Sequence, residues 1–286
     1  MDNLKAKKRH PEEIAVYTAI YVCAAFSVLL LLGIIIYVFA KGARRVNWAF
    51  LTGVTSILHG TVGIAGNILN TLIIILLTMI ITTPIGVGAA IYLNEYAKPG
   101  KLVTVIIFAT ETLAGIPSII FGLFGMLFFG QLCHMGYSLL TGSLTLTLMV
   151  LPLVTRNTQE ALKTVPDSFR TGAVGLGAGK WYTIRTILLP SAMPGIVTGV
   201  ILAMGRIIGE SAALLFTAGS AHLLPKTFNA FLEKIFHSGG TLTIQLYLSA
   251  SKGEFEVAFG IAVVLLVIVL LINFGTKRLA KKLEKH

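Results

Sequence analysis

The sequence predicts an all-α integral membrane protein with six transmembrane helices, and three observations carry that prediction. Apolar residues form long runs without charge, basic residues gather at the ends of those runs, and one polar, glycine-rich stretch interrupts the pattern late in the chain. Of the 286 residues, 55% are hydrophobic and 12% charged, whereas a soluble domain carries about 25% charged residues. A soluble globule of this size could not hide so much apolar surface. The net charge of +11 is not arranged as a basic patch interleaved with aromatics. No nucleic-acid partner is therefore expected, and the cations read as topology signals in a lipid bilayer.

The N-terminal tail, 1–13, holds Lys5, Lys7, Lys8 and Arg9. A first span over about 14–40 is too long for a signal-peptide core of about 7–15 apolar residues, and Lys41, Arg44 and Arg45 close it. Further spans are expected over about 68–93, 102–130, 136–155, 190–217 and 257–276, so that 14–276 forms one transmembrane domain ahead of a tail at 277–286. Thr82-Thr83-Pro84 with Gly86 and Gly88 predict a break in the second span, and Gly115-Ile116-Pro117-Ser118 another in the third. Such breaks are tolerated only where protein or water satisfies the freed backbone groups. The hydroxyls of Ser138, Thr141, Ser143, Thr145 and Thr147 read as interhelical or back-bonded groups. Six spans put both chain ends on one side. Sixteen of the 23 Lys and Arg residues fall on that side and six on the other, with Arg206 inside a span. The positive-inside tendency then places both termini and the polar stretch in the cytoplasm. Lys41, Arg44 and Arg45 run against it.

The polar stretch, 156–189, has the pattern of two short helices. Pro166-Asp167-Ser168 suits a helix start, Phe169, Ala173 and Leu176 then fall near one side, and Gly175, Gly177 and Gly179 stop the helix. A second helix runs from Lys180 and Trp181 through Ile184, Ile187 and Leu188 to Pro190. The pair makes a knob that projects into the cytosol. Gly175-Leu-Gly177-Ala-Gly179-Lys180 imitates a phosphate-cradling loop, but that motif needs glycine where this chain has Val174 and Ser or Thr where it has Trp181. No ATP hydrolysis, catalytic residue or cofactor is expected in this chain. Cys23 and Cys133 read as buried small hydrophobes, and the six histidines show no ligand spacing, so neither disulfide nor metal site is expected.

Gly177, followed after nine residues by Ile187-x-Leu189-Pro190, resembles the cytoplasmic signature of importer permeases of the ATP-binding cassette (ABC) superfamily. The family pattern opens with Glu-Ala-Ala, where this chain has Thr171-Gly172-Ala173, so no role of that glutamate carries over. The stretches at 84–97, 111–124, 160–166 and 205–219 are similar, in register from about 48 to 275, to the A-type permease subunits of phosphate-specific importers. The resemblance implies a coupling helix over about 166–179 that seats in an ATPase subunit through Phe169, Thr171, Gly172, Ala173, Gly175, Leu176 and Gly177. It also implies a second related permease, two ATP-binding cassette subunits that bind the ATP and magnesium, and an extracytoplasmic phosphate-binding protein. Phosphate is the implied cargo and the cell inner membrane the implied location. A permease for molybdate or sulfate is the alternative.

Three carboxylates and guanidiniums inside the spans, Glu111, Arg206 and Glu210, are the candidate pathway or gating residues. A charge at the bilayer centre costs about 2.5–3.5 kcal/mol on insertion scales and faces the bundle interior and a partner. Arg206 and Glu210 are four residues apart, so on one helix they can pair. Two readings stand: a helix-stapling salt bridge, or an arginine that attracts a passing anion beside a glutamate that keeps the binding weak enough for release. Glu111, about nine residues into its helix, is expected to hold the helix break rather than to pair with Arg206.

Overall fold

The computed structural model describes residues 11–56, 61–98, 100–225 and 227–283. The N-terminal tail as far as residue 10, and residues 284–286, lie outside them. Helix α1 (Pro11–Gly42) is apolar on every face and packs only along α13 (Phe255–Leu283) and the turn at Ala43–Arg45. An all-round apolar surface suits a helix that meets lipid or another chain on its remaining sides. Cys23 is consequently exposed, as is Cys133, and neither is the buried small hydrophobe expected of it. Beyond α1 the chain forms the short helix α2 (Trp48–Thr52), capped by the Asn47 side chain, and a small antiparallel ribbon of β1 (Val54–Ser56) and β2 (Thr61–Ile64). The β-branched residues Val54, Thr55, Thr61 and Val62 favour that ribbon over the irregular connection their glycines suggest.

Helices α3 (Ala65–Ile91) and α6 (Leu139–Lys163) pack along each other and form the centre of the bundle. No break interrupts α3: it stays helical through Pro84, with Gly86 lying against Val154 of α6. Within α6 the hydroxyls of Ser138, Thr141, Thr145 and Thr147 find partners as the sequence suggests, whereas the buried Ser143 Oγ has none among the described residues. Ser138 caps the helix by accepting from the Thr141 amide, and Thr145 and Thr147 each donate to the carbonyl four residues back at 2.8 Å. The fourth helix runs on past the expected boundary at Thr155 to Lys163, so Arg156 belongs to a helix and not to a loop.

Between them, α4 (Lys101–Gly115) and α5 (Ser118–Gly125), with its continuation to Leu132, meet at 103°. Pro117 lacks an N–H and drives Ile116 to extended dihedrals, which ends α4 and turns the chain. Among the described residues, five helices are long and apolar enough to span a membrane, or six with this bent pair taken as one span.

After the coupling segment, α9 (Leu189–Gly209) packs on α6 and then stops at Glu210, whose backbone is extended. Helix α10 (Ala212–Thr217) follows, so the expected fifth span of 190–217 is two helices. A connection with α11 (Phe228–Glu233) and α12 (Leu242–Ser251) leads to α13. Buried amides of Asn67 and Asn70 fasten it to the start of α3 by donating to the Gly240 carbonyl, both at 3.0 Å.

Close approach of α9 to α6 rests on small residues. A Cβ on Gly195 would stand 2.5 Å from the Ala161 Cβ, and one on Gly199 would stand 2.6 Å from the Asn157 Cβ. The Gly195-x3-Gly199 spacing therefore serves packing within this chain. Gly199→Leu is expected to push the two helices apart and cost about 1–3 kcal/mol, read as a lowered midpoint in detergent thermal unfolding. Gly205→Leu on the same helix, with open space around it, should leave the midpoint near its original value.

Candidate functional site: a helical knob and an arginine-lined cavity

The knob consists of α7 (Asp167–Gly175), a glycine turn and α8 (Lys180–Thr183), which continues through a wide turn at Ile184–Leu188 into α9. Pro166 precedes α7, and Asp167 sits in its first turn, where the positive helix end favours a carboxylate. At the other end the amides of Gly177 and Ala178 return to the carbonyls of Val174 and Ala173, both at 2.9 Å. Gly177 has φ +79° there, a left-handed conformation that suits glycine. Phe169, Thr171, Gly172, Gly175, Leu176 and Gly177 are all exposed, Leu176 at 91%. Ala173 is buried instead, because the chain folds back over it through the turn. Of the seven expected docking residues, six thus present a surface and Ala173 supports it from beneath.

Arg170 holds this knob to the bundle. Its Nη2 donates to Glu95 Oε1 at 2.9 Å and to the Leu162 carbonyl at 3.1 Å, and its Nη1 donates to Asp167 Oδ1 and to the Val165 carbonyl at 3.0 Å each. Glu95 lies in the turn that ends α3, with its side chain only 8% exposed. The guanidinium fork therefore joins α7 to the end of α3 and to the last carbonyls of α6, through charge-assisted bonds. The Glu95 hydrogen bond, outweighing burial and aided by Asp167, raises Arg170 above its ordinary guanidinium range. The cation consequently stays charged at every pH a cell meets.

The intramembrane charges are arranged differently from the expected pair. Glu210 accepts from the Ala213 amide at 3.1 Å and so caps α10, while its carbonyl accepts from Thr243. The extended backbone at Glu210 breaks the helical spiral that would have stacked it over Arg206, and Arg206 forms no salt bridge among the described residues. Glu111 pairs with Arg156 at 2.8 Å, not with Arg206. Lying one turn before the α4–α5 bend, it spans from α4 to α6 and steadies the break from one side. Arg156 and Arg206 line one cavity of about 190 Å³ between α4, α6 and α9, walled otherwise by Thr110, Ala114, Met149, Pro152 and Leu153. Two guanidiniums against one carboxylate leave this space net positive.

Residues 82–286 match the family of binding-protein-dependent transport system inner membrane components. The chain belongs to this family of importer permeases. It is similar to the probable ABC transporter permease protein YqgI of Bacillus subtilis, 36% identical over 92% of this chain and 93% of that one. It is also similar to the phosphate transport system permease protein PstA of Xylella fastidiosa (strain Temecula1), 35% identical over 84% and 82% of the two chains. A further match is PstA 1 of Mycobacterium tuberculosis (strain H37Rv), 34% identical over 79% of this chain and 69% of that protein. The fold is shared with the bacterial alginate ABC transporter solved with its periplasmic protein, at TM-score 0.71 and 14% identity over 96% of each chain. An inward-facing MetNI methionine ABC transporter aligns at TM-score 0.57 and 21% identity over 77% of this permease and 94% of that chain.

Sequence reasoning passed over Arg156, Arg170 and Glu95. Arg156 was absorbed into the count of cytoplasmic cations because the helix that carries it extends past its apolar stretch. Arg170 and Glu95 are 75 positions apart, and no spacing rule connects them.

Glu95→Ala in the permease should leave Arg170 partly unpaired. Removal of one partner of a buried pair costs about 3–5 kcal/mol, and the acceptors that Arg170 retains on Leu162, Val165 and Asp167 reduce that to about 2 kcal/mol. Thermal unfolding should register the loss, and Glu95→Gln, which keeps an acceptor, should restore part of it.

Proposed function

We propose that this permease subunit carries inorganic phosphate inward in an ATP-driven importer. The observation that carries the reading is the shared cavity of Arg156 and Arg206, in which, among the described residues, Arg206 forms no salt bridge and Arg156 pairs with a half-exposed Glu111. A pathway for a small anion needs positive potential that is weak enough to release it. A carboxylate within salt-bridge reach of one arginine supplies that weakening, since the anion and Glu111 compete for the same guanidinium. Similarity to permeases named for phosphate transport supports phosphate over other oxyanions.

In this reading ATP and magnesium are bound by two partner ATPase subunits, and the exposed face of Phe169, Leu176 and the glycine turn seats one of them. A second, related permease completes the pathway, and an external binding protein delivers phosphate. Arg156 lies on α6 about two turns before Leu162, whose carbonyl holds Arg170. A movement of α7 driven by the ATPases is thereby applied to the same helix that carries Arg156, and α4 with Glu111 is free to respond separately. Separation of Glu111 from Arg156 would strengthen the site for phosphate, and their reunion would expel it. The distribution of basic residues supports a multi-pass arrangement in the inner membrane with both termini in the cytoplasm.

ATP hydrolysis by the reconstituted complex with its binding protein, titrated with phosphate, sulfate and molybdate, tests the cargo. Phosphate alone should stimulate, and stimulation by another oxyanion would overturn the substrate while keeping the architecture.

Two substitutions test the cavity. Arg206→Gln should reduce uptake at least about a hundredfold, a loss of the order of a desolvated charged contact, while the complex still co-purifies. Glu111→Gln should lower both the KM for uptake and the turnover, because release slows; a variant with unchanged KM and turnover would remove Glu111 from the pathway.

A further inference from the structure

A second positive cavity lies at the opposite end of the bundle from the coupling knob, where α1 finishes against the start of α13. It measures about 710 Å³ and is lined by Lys41, Arg44 and Arg45 on one side and by Phe255, Glu256 and Phe259 on the other. Its elements are distinct from those around Arg156 and Arg206. Three cations within five residues face a single carboxylate, and none of them forms a salt bridge among the described residues. The Arg45 guanidinium lies over the Phe50 ring at 5.7 Å, and its Nε is buried without a hydrogen-bond partner. Part of the cluster suits the negative end of α1, where Lys41 sits in the last turn. That effect fades within a turn and leaves Arg44 and Arg45 unexplained.

We propose that this cavity holds the phosphodiester headgroup of an anionic lipid. Burying a donor without a partner is unfavourable, and a phosphate oxygen is the acceptor that guanidinium forks match best. The lipid source is favoured over free phosphate by the walls. Tyr37 and Phe259 meet edge to face at 5.6 Å beside the cations, and α1 below them is apolar, with none of its span buried despite its contact with α13. An acyl chain would cover that surface, which a free ion would leave exposed. Basic pockets between transmembrane helices recognise lipid headgroups in this way, with aromatic rings at headgroup level. The same site accounts for a basic cluster on the side of the membrane where the charge distribution otherwise places few cations.

The test uses the purified permease complex exchanged into phosphatidylcholine micelles and titrated with phosphatidylglycerol or with inorganic phosphate. Bound lipid is counted by native mass spectrometry and stability by thermal unfolding. Phosphatidylglycerol should bind and raise the unfolding midpoint, and the double variant Lys41→Gln/Arg44→Gln should bind it about thirtyfold more weakly. Equal retention by wild type and variant would overturn the proposal. Variant-sensitive protection by inorganic phosphate, without any by phosphatidylglycerol, would overturn the lipid source and leave a phosphate site. Co-elution of the subunits on size exclusion checks assembly. Arg44→Gln alone, at an exposed side chain, serves if the double variant fails to assemble, and its unchanged lipid binding would equally overturn the proposal.

Discussion

The architecture depends on one guanidinium. Arg170 binds the end of α3 through Glu95, the end of α6 through two carbonyls, and its own helix through Asp167. Without it the coupling knob would touch the bundle mainly through Ala173 and the small apolar cluster around Leu162, Ile184 and Leu188. Weak apolar contacts allow a short helix to roll, whereas a planar fork with several acceptors permits far less rotation. Under the function proposed above, force applied to α7 would pass to two central helices together, and the knob would act as a lever.

The lever reaches the cavity because α6 is continuous. The Thr145 and Thr147 hydroxyls bond back to its own carbonyls, its one proline lies inside it without ending it, and its length carries Arg156 and the Leu162 carbonyl on one rod. Two of the spans around it are not continuous. The α4–α5 pair bends at Ile116–Pro117, and α9 gives way to α10 at Glu210. Freed backbone groups at the second of these breaks find partners in the protein. The Ala213 amide is taken by the Glu210 carboxylate, and the Glu210 carbonyl accepts from Thr243. Only such compensation makes irregular backbone tolerable at membrane depth.

The same compensation explains the division of labour among the charges. Glu210 serves as a cap for α10, a role in which its negative charge meets a helix N-terminus. Glu111 neutralises Arg156 across the α4–α6 gap. Arg206 is left facing the cavity without a salt-bridge partner among the described residues.

Much of this molecule was legible in one dimension. Charge-free runs set the helical membrane class, and Pro166, Asp167 and Gly177 marked both ends of α7. Those features follow from local rules: the apolar length needed to cross lipid, the cap chemistry of a helix start, and the positive φ of a turn. Tertiary structure alone decided which charges meet. Arg206 and Glu210, four apart, do not pair because the helix stops at Glu210 and its carboxylate accepts from the Ala213 amide, while Arg156 and Glu111, 45 apart, are joined by the packing of α4 on α6. Ion pairing depends on distance in space, and a single break in a helix or a single contact between helices overrides any spacing along the chain.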